Sequence, residues 1–453
     1  MKNRFKKIIL LLGDIAFFYF ALYLALWLRY LEVPSEKTWL NHLAPFTLLI
    51  IIWFTVFYVS GLYDLSFLKN KKILRKTINC FLISGLISVI FFYLMERSSI
   101  SPKTNLLIFS IVYLFVFSIW RKIFYWTLKS YLPQNNTAII GLNSQVKDLV
   151  KEIKSKSYLG YTIRFIMNAE GEGDNYIGDT PVFNEMNNLA SLIEKKKINT
   201  IILPTDIHTS QKVRSALFSC LHLKINFFTL SQFYENLTGK IPIDTINQMW
   251  FLENLNEGGK NWFDKFKKLY DLLLSLIFLV ISLPIWLIII IFIKIDNKGE
   301  VFFTQRRVGL NNKNFTIIKF RTMKVEGNDY SLTQEKDNRI TRVGAFLRKT
   351  RLDELPQLIN IIKGEMSFVG PRPERPEFVE KLEREIPFYN ERILVKPGIT
   401  GWDQISGEYH SPTTEDSLKK LQYDLFYIKN RSIYLDLSIV LKTIATVFSK
   451  TGR

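Results

Sequence analysis

Apolar residues are concentrated in the first third of the chain and in one later segment. Four apolar stretches occupy residues 8–28, 44–60, 78–94 and 106–126. Each approaches the roughly 20 residues that a helix needs to cross a bilayer, so they predict a four-helix transmembrane bundle over residues 1–130. The basic N-terminus resembles a signal peptide, but the apolar run is too long and no cleavage site follows it. We therefore interpret it as a membrane anchor.

Basic residues are shared unevenly between the two ends of these helices. The loops on one side hold only Arg29, Lys37, Arg97 and Lys103. Because Lys and Arg accumulate on the cytoplasmic side of a membrane, both ends of the bundle are expected in the cytoplasm. The residues assigned to that side are Lys2, Arg4, Lys6, Lys7, Lys69, Lys71, Lys72, Arg75, Lys76, Arg121, Lys122 and Lys129.

Over residues 131–250 short apolar runs alternate with polar, Lys-rich segments of helical spacing. This rhythm predicts a small doubly wound, Rossmann-like sheet. The turn at residues 141–144 lacks the second and third glycines of a dinucleotide fingerprint, and Asn168 stands where an acidic residue would close the second strand. We expect a structural or regulatory domain without NAD. Its predicted strands are residues 137–141, 161–167, 200–204 and 226–230.

A fifth apolar run at residues 269–293 has basic residues on both flanks. Two basic flanks do not fit a helix with one end on each side of the membrane. Ser282 and Pro284 offer a break inside the run, because proline removes a helix hydrogen bond and clashes with the preceding turn. We therefore predict a re-entrant helix that bends near Pro284. A spanning helix with a proline kink is the alternative.

The composition restricts the partners. A formal net charge of +19 suits anionic lipid headgroups and phosphorylated substrates, and no motif supports binding to nucleic acid. The chain has two cysteines, Cys80 and Cys220, and four scattered histidines, which excludes a disulfide framework and disfavours a His/Cys metal site. Any metal is expected to be a hard cation held by carboxylates.

The candidate chemistry lies in the last domain, at the adjacent carboxylates Asp353 and Glu354. Pro356 is tolerated in the first turn of a helix, so both are expected at a helix N-terminus, where phosphate binds well. One carboxylate can attack phosphorus as a nucleophile while the other holds Mg²⁺. A solvated acidic pair at a helix start is the alternative.

Cationic residues surround this pair in the sequence. A diphosphate needs several positive donors, because negative charge moves onto the leaving phosphate during transfer. Arg372, between Pro371 and Pro373, lies on a stiff loop that suits fixed phosphate recognition. Further cations of the same domain are Lys319, Arg321, Arg348 and Arg351.

Several blocks together resemble the bacterial sugar transferase family, also called monotopic polyprenyl-phosphate phosphoglycosyl transferases. They are Lys268 and Asp271, the Ser/Pro break, KFRTM at 319–323, DELPQ at 353–357, GPRP at 370–373, PGITGW at 397–402, and the closing pattern from Asp424 to Asp436. Together with the bundle and the middle domain, they are similar to the large subgroup that initiates exopolysaccharide, capsule or O-antigen synthesis.

The resemblance implies a membrane α + α/β fold class in three parts. These are the four-helix bundle at 1–130, a Rossmann-like domain similar to CoA- and nucleotide-binding domains at 131–250, and an α-rich catalytic domain with the re-entrant helix at 258–453. It also implies location in the bacterial inner membrane, with both folded domains in the cytoplasm. We further expect a homodimer in contact with membrane lipids.

The resemblance implies a ping-pong reaction with a UDP-sugar and undecaprenyl phosphate. Asp353 would take the phosphosugar and release UMP, and Glu354, with Asp353 beside it, would bind Mg²⁺. The sequence departs from the family pattern at Arg351 and Asp403, and it does not specify the sugar. The substrate-binding residues expected from the matching blocks are Lys319, Arg321, Arg348, Gln357, Pro371, Arg372, Pro373 and Asp436.

Three other functions fit the sequence less well. A nucleotide-sugar epimerase or dehydratase needs a Tyr-x-x-x-Lys pair after its cofactor turn, but Tyr125 and Lys129 lie upstream of that turn. A metal-dependent glycosyltransferase would need an Asp-x-Asp motif, which the sequence lacks. A membrane scaffold or regulator of polysaccharide assembly leaves the intact DELPQ block unexplained.

Overall fold

The structure is a computed structural model. It describes residues 2–63, 73–94, 102–131, 135–142, 144–155, 160–168, 176–184, 189–203, 211–255, 258–296, 299–324, 337, 339–406 and 413–448. Among the residues that the sequence analysis used, Lys69, Lys71, Lys72, Arg97, Asn143 and Pro204 lie outside this set. The chain divides into two compact units, Met1–Leu230 and Ser231–Arg453.

The predicted membrane helices are present. The first four helices are α1 (Lys2–Tyr30), α2 (Glu36–Val59), α3 (Ile73–Leu94) and α4 (Pro102–Tyr131). The parts long and apolar enough to cross a membrane are Lys6–Tyr30, Glu36–Val59, Leu74–Leu94 and Thr104–Thr127.

Aromatic packing fills the interior of this bundle. Trp53 is fully buried among Phe18, Phe109 and Tyr113, and its indole Nε1 donates to Ser88 Oγ at 2.8 Å. Apolar side chains such as Leu82, Ile111 and Phe115 stay exposed on the outer surface. A large apolar exterior is costly in water and favourable in lipid, so the bundle is built for a membrane.

The middle domain has the predicted parallel sheet, extended by two short strands that the sequence pattern did not predict. Among the described residues the sheet has six strands in the order β3-β4-β2-β1-β5-β6, and only β3 is antiparallel to its neighbour. β1 lies at the centre because crossovers wind outward from it in both directions. The strands are β1 (Asn135–Ile140), β2 (Tyr161–Met167), β3 (Tyr176–Ile177), β4 (Thr180–Phe183), β5 (Thr200–Leu203) and β6 (Asn226–Thr229).

Three helices connect these strands: α5 (Ser144–Ser155), α6 (Leu189–Lys195) and α7 (Gln211–Ser219). Their apolar faces cover the sheet, and the buried core includes Ala138, Phe165 and Ile201. The fold class expected for the membrane and α/β parts is confirmed.

The second unit begins earlier than the expected boundary between 250 and 258. α8 (Leu230–Thr238) and α9 (Gln248–Asn254) precede the long apolar helix. Ile241 and Trp250 share a buried cluster with Val308 and Leu421, which are far along the chain. The segment before residue 258 therefore contributes to the core of the C-terminal unit.

The fifth apolar run forms α10 (Asn261–Asp296), a helix of 36 residues with Pro284 inside it. Ser282 Oγ donates to the carbonyl oxygen of Leu279 at 3.1 Å. The helix continues without interruption through Ser282 and Pro284, so no loop divides α10 into two halves there. It is long and apolar enough to cross a membrane.

In the rest of this unit, the described residues form a hairpin, five α-helices and a short parallel pair of strands. The hairpin joins β7 (Phe302–Val308) to β8 (Asn314–Phe320), and β9 (Ser367–Val369) pairs with β10 (Gly398–Thr400). The helices are α11 (Arg342–Thr350), α12 (Gln357–Ile362), α13 (Pro376–Glu385), α14 (Thr414–Asn430) and α15 (Ile433–Phe448).

Candidate active site

Asp353 and Glu354 lie in a short 3-10 turn, Leu352–Glu354, between α11 and α12. Arg351, whose φ is +58°, ends α11 in the left-handed region and turns the chain into this segment. Pro356 stands immediately before α12, close to the helix start predicted from the sequence. Both carboxylates are buried, with 8% of Asp353 and 6% of Glu354 exposed, which rules out a solvated acidic pair.

Three cations surround one oxygen of Glu354. Its Oε1 lies 3.3 Å from Lys319 Nζ, 3.1 Å from Arg372 Nη2 and 3.5 Å from Arg351 Nη1. Burial by itself would raise the pKa of Glu354, but these cations outweigh it and hold that pKa well below its usual value. Glu354 is therefore ionised at neutral pH.

Asp353 has a different environment although it is the next residue. Its Oδ1 is buried and has no hydrogen-bond partner among the described residues. Burial, and then the charge of Glu354, raise the pKa of Asp353, while Lys319, Arg351 and Arg348 oppose the increase. A buried carboxylate oxygen without a donor is a candidate to bond to a substrate or metal.

Two of the cations have pKa values shifted by burial. Burial lowers the pKa of Lys319, and the nearby Glu354 carboxylate limits the decrease. Burial also lowers the pKa of Arg348, whose Nε donates to Thr322 Oγ1 at 2.8 Å. By contrast, Glu354 is the main cause of the raised pKa of Arg372.

The loop that carries Arg372 is held by the pairing of β9 with β10. Gly370 N donates to Thr400 O, and Gly398 N donates to Pro371 O, both at 2.9 Å. A Cβ atom on Gly370 would lie 2.3 Å from the carbonyl oxygen of Lys396, so a side chain has no space there. The GPRP and PGITGW blocks are therefore hydrogen-bonded to each other.

Some predicted site residues make their direct contacts away from Asp353 and Glu354. Arg321 pairs with Glu300 at 3.3 Å. Gln357 is buried in α12. Asp436 accepts hydrogen bonds from Lys267 and Tyr270 of α10 and from Tyr427, the last at 2.8 Å. These contacts link α15 to α10.

Two residues that the sequence did not indicate support the loop of Arg372 from behind. Arg392 Nη2 donates to the carbonyl oxygen of Arg372 at 3.0 Å, and Arg307 Nη1 donates to that of Pro373 at 3.1 Å. Burial lowers the pKa of Arg307 to about 10. Arg307 belongs to the sequence QRRVG at 305–309, which indicated no role for it, and no motif pointed to Arg392.

Comparisons with known proteins match both parts of the chain. A family model described as bacterial sugar transferase matches residues 262–450, and one described as CoA-binding domain matches residues 48–230. The exopolysaccharide production protein ExoY of Rhizobium meliloti is 37% identical over 203 residues, which cover 41% of this chain and 87% of that relative. The chain belongs to the bacterial sugar transferase family.

Longer members of the family match this chain over part of their length. A UDP-N-acetylgalactosamine-undecaprenyl-phosphate N-acetylgalactosaminephosphotransferase of Aeromonas hydrophila is 40% identical over 52% of this chain and 55% of that relative. A UDP-glucose:undecaprenyl-phosphate glucose-1-phosphate transferase of Xanthomonas campestris is 41% identical over 44% of this chain and 42% of that relative. The chain therefore spans about half the length of these relatives.

Proposed function

We propose that this protein transfers a sugar 1-phosphate from a UDP-sugar to undecaprenyl phosphate, in the first membrane step of exopolysaccharide, capsule or O-antigen synthesis. The observation that carries the proposal is the buried Oδ1 of Asp353, which has no hydrogen-bond partner among the described residues and lies beside a carboxylate held by three cations. The names of the relatives support the choice of donor and acceptor.

In the first half-reaction, the ionised Asp353 carboxylate attacks the sugar-bearing phosphorus of the UDP-sugar. A bond forms between Asp353 and this phosphorus, the bond from phosphorus to the bridging oxygen breaks, and UMP leaves with that oxygen. In the second, an oxygen of undecaprenyl phosphate attacks the same phosphorus. Asp353 leaves as a carboxylate, and the product is undecaprenyl diphosphate-sugar.

The cations of the site stabilise the negative charge that moves during these steps. Lys319, Arg348 and Arg372 are held in place before substrate arrives, so little reorganisation is needed as charge develops. Glu354 fixes two of them, Lys319 and Arg372, beside Asp353. Arg372 can also use the planar arrangement of its N–H groups to grip a phosphate.

The carboxylates suit Mg²⁺ that arrives with the diphosphate. Mg²⁺ takes oxygen ligands and commonly uses one or two carboxylates together with substrate phosphates. Among the described residues, no group of three or more His, Cys, Asp or Glu side chains is placed to hold a metal ion by itself. Asp353 and Glu354 would hold the ion, and when bound it would neutralise charge on the diphosphate.

We also propose that α10 re-enters the membrane and that the folded domains lie in the cytoplasm. Near the start of α10, Asp264 Oδ2 accepts from Arg431 Nη2 at 2.8 Å, and at its end Asp296 Oδ2 accepts from Val343 N at 3.0 Å. Both ends therefore contact the same folded unit. A helix that crossed the bilayer would separate its ends by the membrane thickness.

The test uses purified membranes containing the full chain, undecaprenyl phosphate and a panel of radiolabelled UDP-sugars. We expect one sugar to give lipid-extractable label together with equimolar UMP. Without lipid acceptor, mass spectrometry should find a phosphosugar on Asp353. Transfer by an Asp353→Asn variant at the normal rate would refute the mechanism.

A further inference from the structure

The middle domain has a basic groove at the edge of the sheet where β1, β2 and β5 begin. The groove is open to solvent and has a volume of about 460 Å³. Four of its side chains are cationic and one is acidic. The residues that line it are Asn136, Ile163, Arg164, Asp179, Pro181, Lys195, Lys196 and Lys197.

The groove is organised by Asn136. Its Nδ2 donates to the carbonyl oxygens of Lys196 and Lys197 at 3.3 and 3.0 Å, and its Oδ1 accepts from Arg164 Nε at 2.8 Å. Lys197 has a φ of +51°, so the chain turns sharply into β5 here. One amide thus joins Arg164 on β2 to the turn that carries the lysines.

The cations of the groove have no carboxylate counter-ion among the described residues. Within the part of the chain that the structure describes, Arg164, Lys195, Lys196 and Lys197 form no ion pair with a carboxylate, and all four are exposed. Asp179, the acid in the groove, pairs instead with Lys154 at 3.2 Å. The groove therefore presents unneutralised positive charge to its surroundings.

Chain connectivity places this edge of the sheet near the membrane. The apolar part of α4 ends at Thr127, the helix itself ends at Tyr131, and β1 begins at Asn135. The helical residues rise about 6 Å and the connection spans at most about 14 Å, so Asn135 lies within roughly 20 Å of the end of the membrane segment. Asn136, which organises the groove, is the next residue.

The dipole of α6 offers a simpler explanation for part of the positive charge in the groove. Basic residues in the last turn of a helix interact favourably with its dipole, which accounts for Lys195 at the end of α6. It does not account for Arg164, which belongs to a strand. The described lining of the groove also contains no aromatic ring on which a nucleotide base would stack.

We propose that Arg164, Lys195, Lys196 and Lys197 form a contact surface for the anionic phospholipid headgroups of the membrane that α4 enters. Clusters of Lys and Arg next to a transmembrane helix are attracted to anionic lipid surfaces. The contact ties the middle domain to the membrane surface through the beginning of its sheet. It is separate from the proposed transfer reaction and does not depend on it.

The test compares the full chain in nanodiscs of phosphatidylcholine alone and of phosphatidylcholine mixed with phosphatidylglycerol. Amide hydrogen exchange is followed in peptides that cover residues 160–168 and 189–199. We expect exchange in both peptides to slow several-fold when phosphatidylglycerol is present. The triple variant Arg164→Gln, Lys196→Gln and Lys197→Gln should lose this difference.

A matched control removes one Arg and two Lys elsewhere in the domain. Lys147 of α5 and Arg214 of α7 are exposed and lie near the starts of helices that leave the opposite edge of the sheet, and Lys151, exposed one turn further along α5, pairs with Asp148. Their replacement with Gln should leave the lipid effect intact. If the Gln variant of the groove misfolds, Arg164→Lys, Lys196→Arg and Lys197→Arg, which keep the charge, should retain the lipid effect.

Several results would overturn the proposal. One is equal exchange in the two lipids, and another is an equal loss of the effect in the control and groove variants. A third is full protection by inorganic phosphate in phosphatidylcholine discs, with no further effect of phosphatidylglycerol. That result would indicate a site for a soluble anion instead of a membrane contact.

Discussion

Arg392 forms a buried ion pair with Asp424, from its Nη2 to Asp424 Oδ2 at 2.7 Å. The same Nη2 donates to the carbonyl oxygen of Arg372, and Nη1 donates to the hydroxyl of Tyr389. Arg392 therefore links α14 to the loop that carries Arg372, the residue whose side chain contacts Glu354. A buried pair of this kind is a positioning device whose two functions, stability and alignment, can be separated by mutation.

Loss of Arg392 alone should be costly. In Arg392→Met, the Asp424 carboxylate stays buried without its partner, which should lower the free energy of unfolding by about 3–5 kcal/mol. The double variant Arg392→Met, Asp424→Leu should regain most of this stability, because it removes both charges. Its transfer rate should remain low, since the carbonyl of Arg372 still lacks its donor. Thermal unfolding and transfer assays test this, and wild-type turnover in the double variant would contradict the positioning role.

Asp353→Asn should abolish turnover without unfolding the protein. The amide is nearly the same size, and Oδ1 has no hydrogen bond among the described residues to lose, but an amide is not a carboxylate nucleophile. Glu354→Gln should also inactivate, because Lys319 and Arg372 lose their common anion. Glu380→Gln, at an exposed position on α13, is the control that should remain active. The measurements are transfer assays, the covalent adduct by mass spectrometry, and the melting temperature.

The rate of adduct formation should fall at both ends of the pH range. Asp353 must be ionised to attack and its pKa is raised, so activity should be lost as pH falls through a value above that of an ordinary aspartate. Lys319 must be protonated and its pKa is lowered, so activity should be lost as pH rises through a value below that of an ordinary lysine. Lys319→Arg should move the alkaline loss upward, because arginine stays charged. If the alkaline loss of activity does not move in Lys319→Arg, a group other than Lys319 is responsible for it.

The topology of α10 can be tested with single cysteines. Substitutions at Lys260 and Lys298, the second of which lies outside the described residues, should both be labelled only from the cytoplasmic side. Replacing Ser282 and Pro284 with leucine or alanine should favour a straight spanning helix, expose position 298 to external label and lower activity. External labelling at position 298 without these replacements would rule out re-entry.

The catalytic fragment should begin at Ser231. A fragment covering 231–453 keeps Ile241, Ile243, Ile246 and Trp250 in the cluster with Val308 and Leu421, so it should transfer sugar phosphate in detergent without NAD. A fragment that begins at 256 exposes that cluster and should lose several kcal/mol of stability. Melting temperatures and transfer rates of the two fragments provide the measurement, and equal stability would contradict the packing argument.

The candidate site shows which predictions a sequence supports. DELPQ and GPRP identified Asp353, Glu354 and Arg372 because adjacent carboxylates and a stiff Pro-Arg-Pro loop are local features. Arg392 and Asp424 lie 32 positions apart and have no local pattern. Their partnership could not be inferred without the packing of α14 against the 3-10 segment Tyr389–Leu394.

The sequence by itself determined the membrane helices, the parallel sheet and the family blocks, because hydropathy, strand spacing and turn residues act over short distances along the chain. Only the tertiary structure decided which charges meet. It placed Lys319, Arg351 and Arg372 around Glu354 and left Asp353 Oδ1 without a donor among the described residues. Those environments give two neighbouring carboxylates opposite pKa shifts, because burial and charge depend on atoms that approach in space from distant parts of the chain.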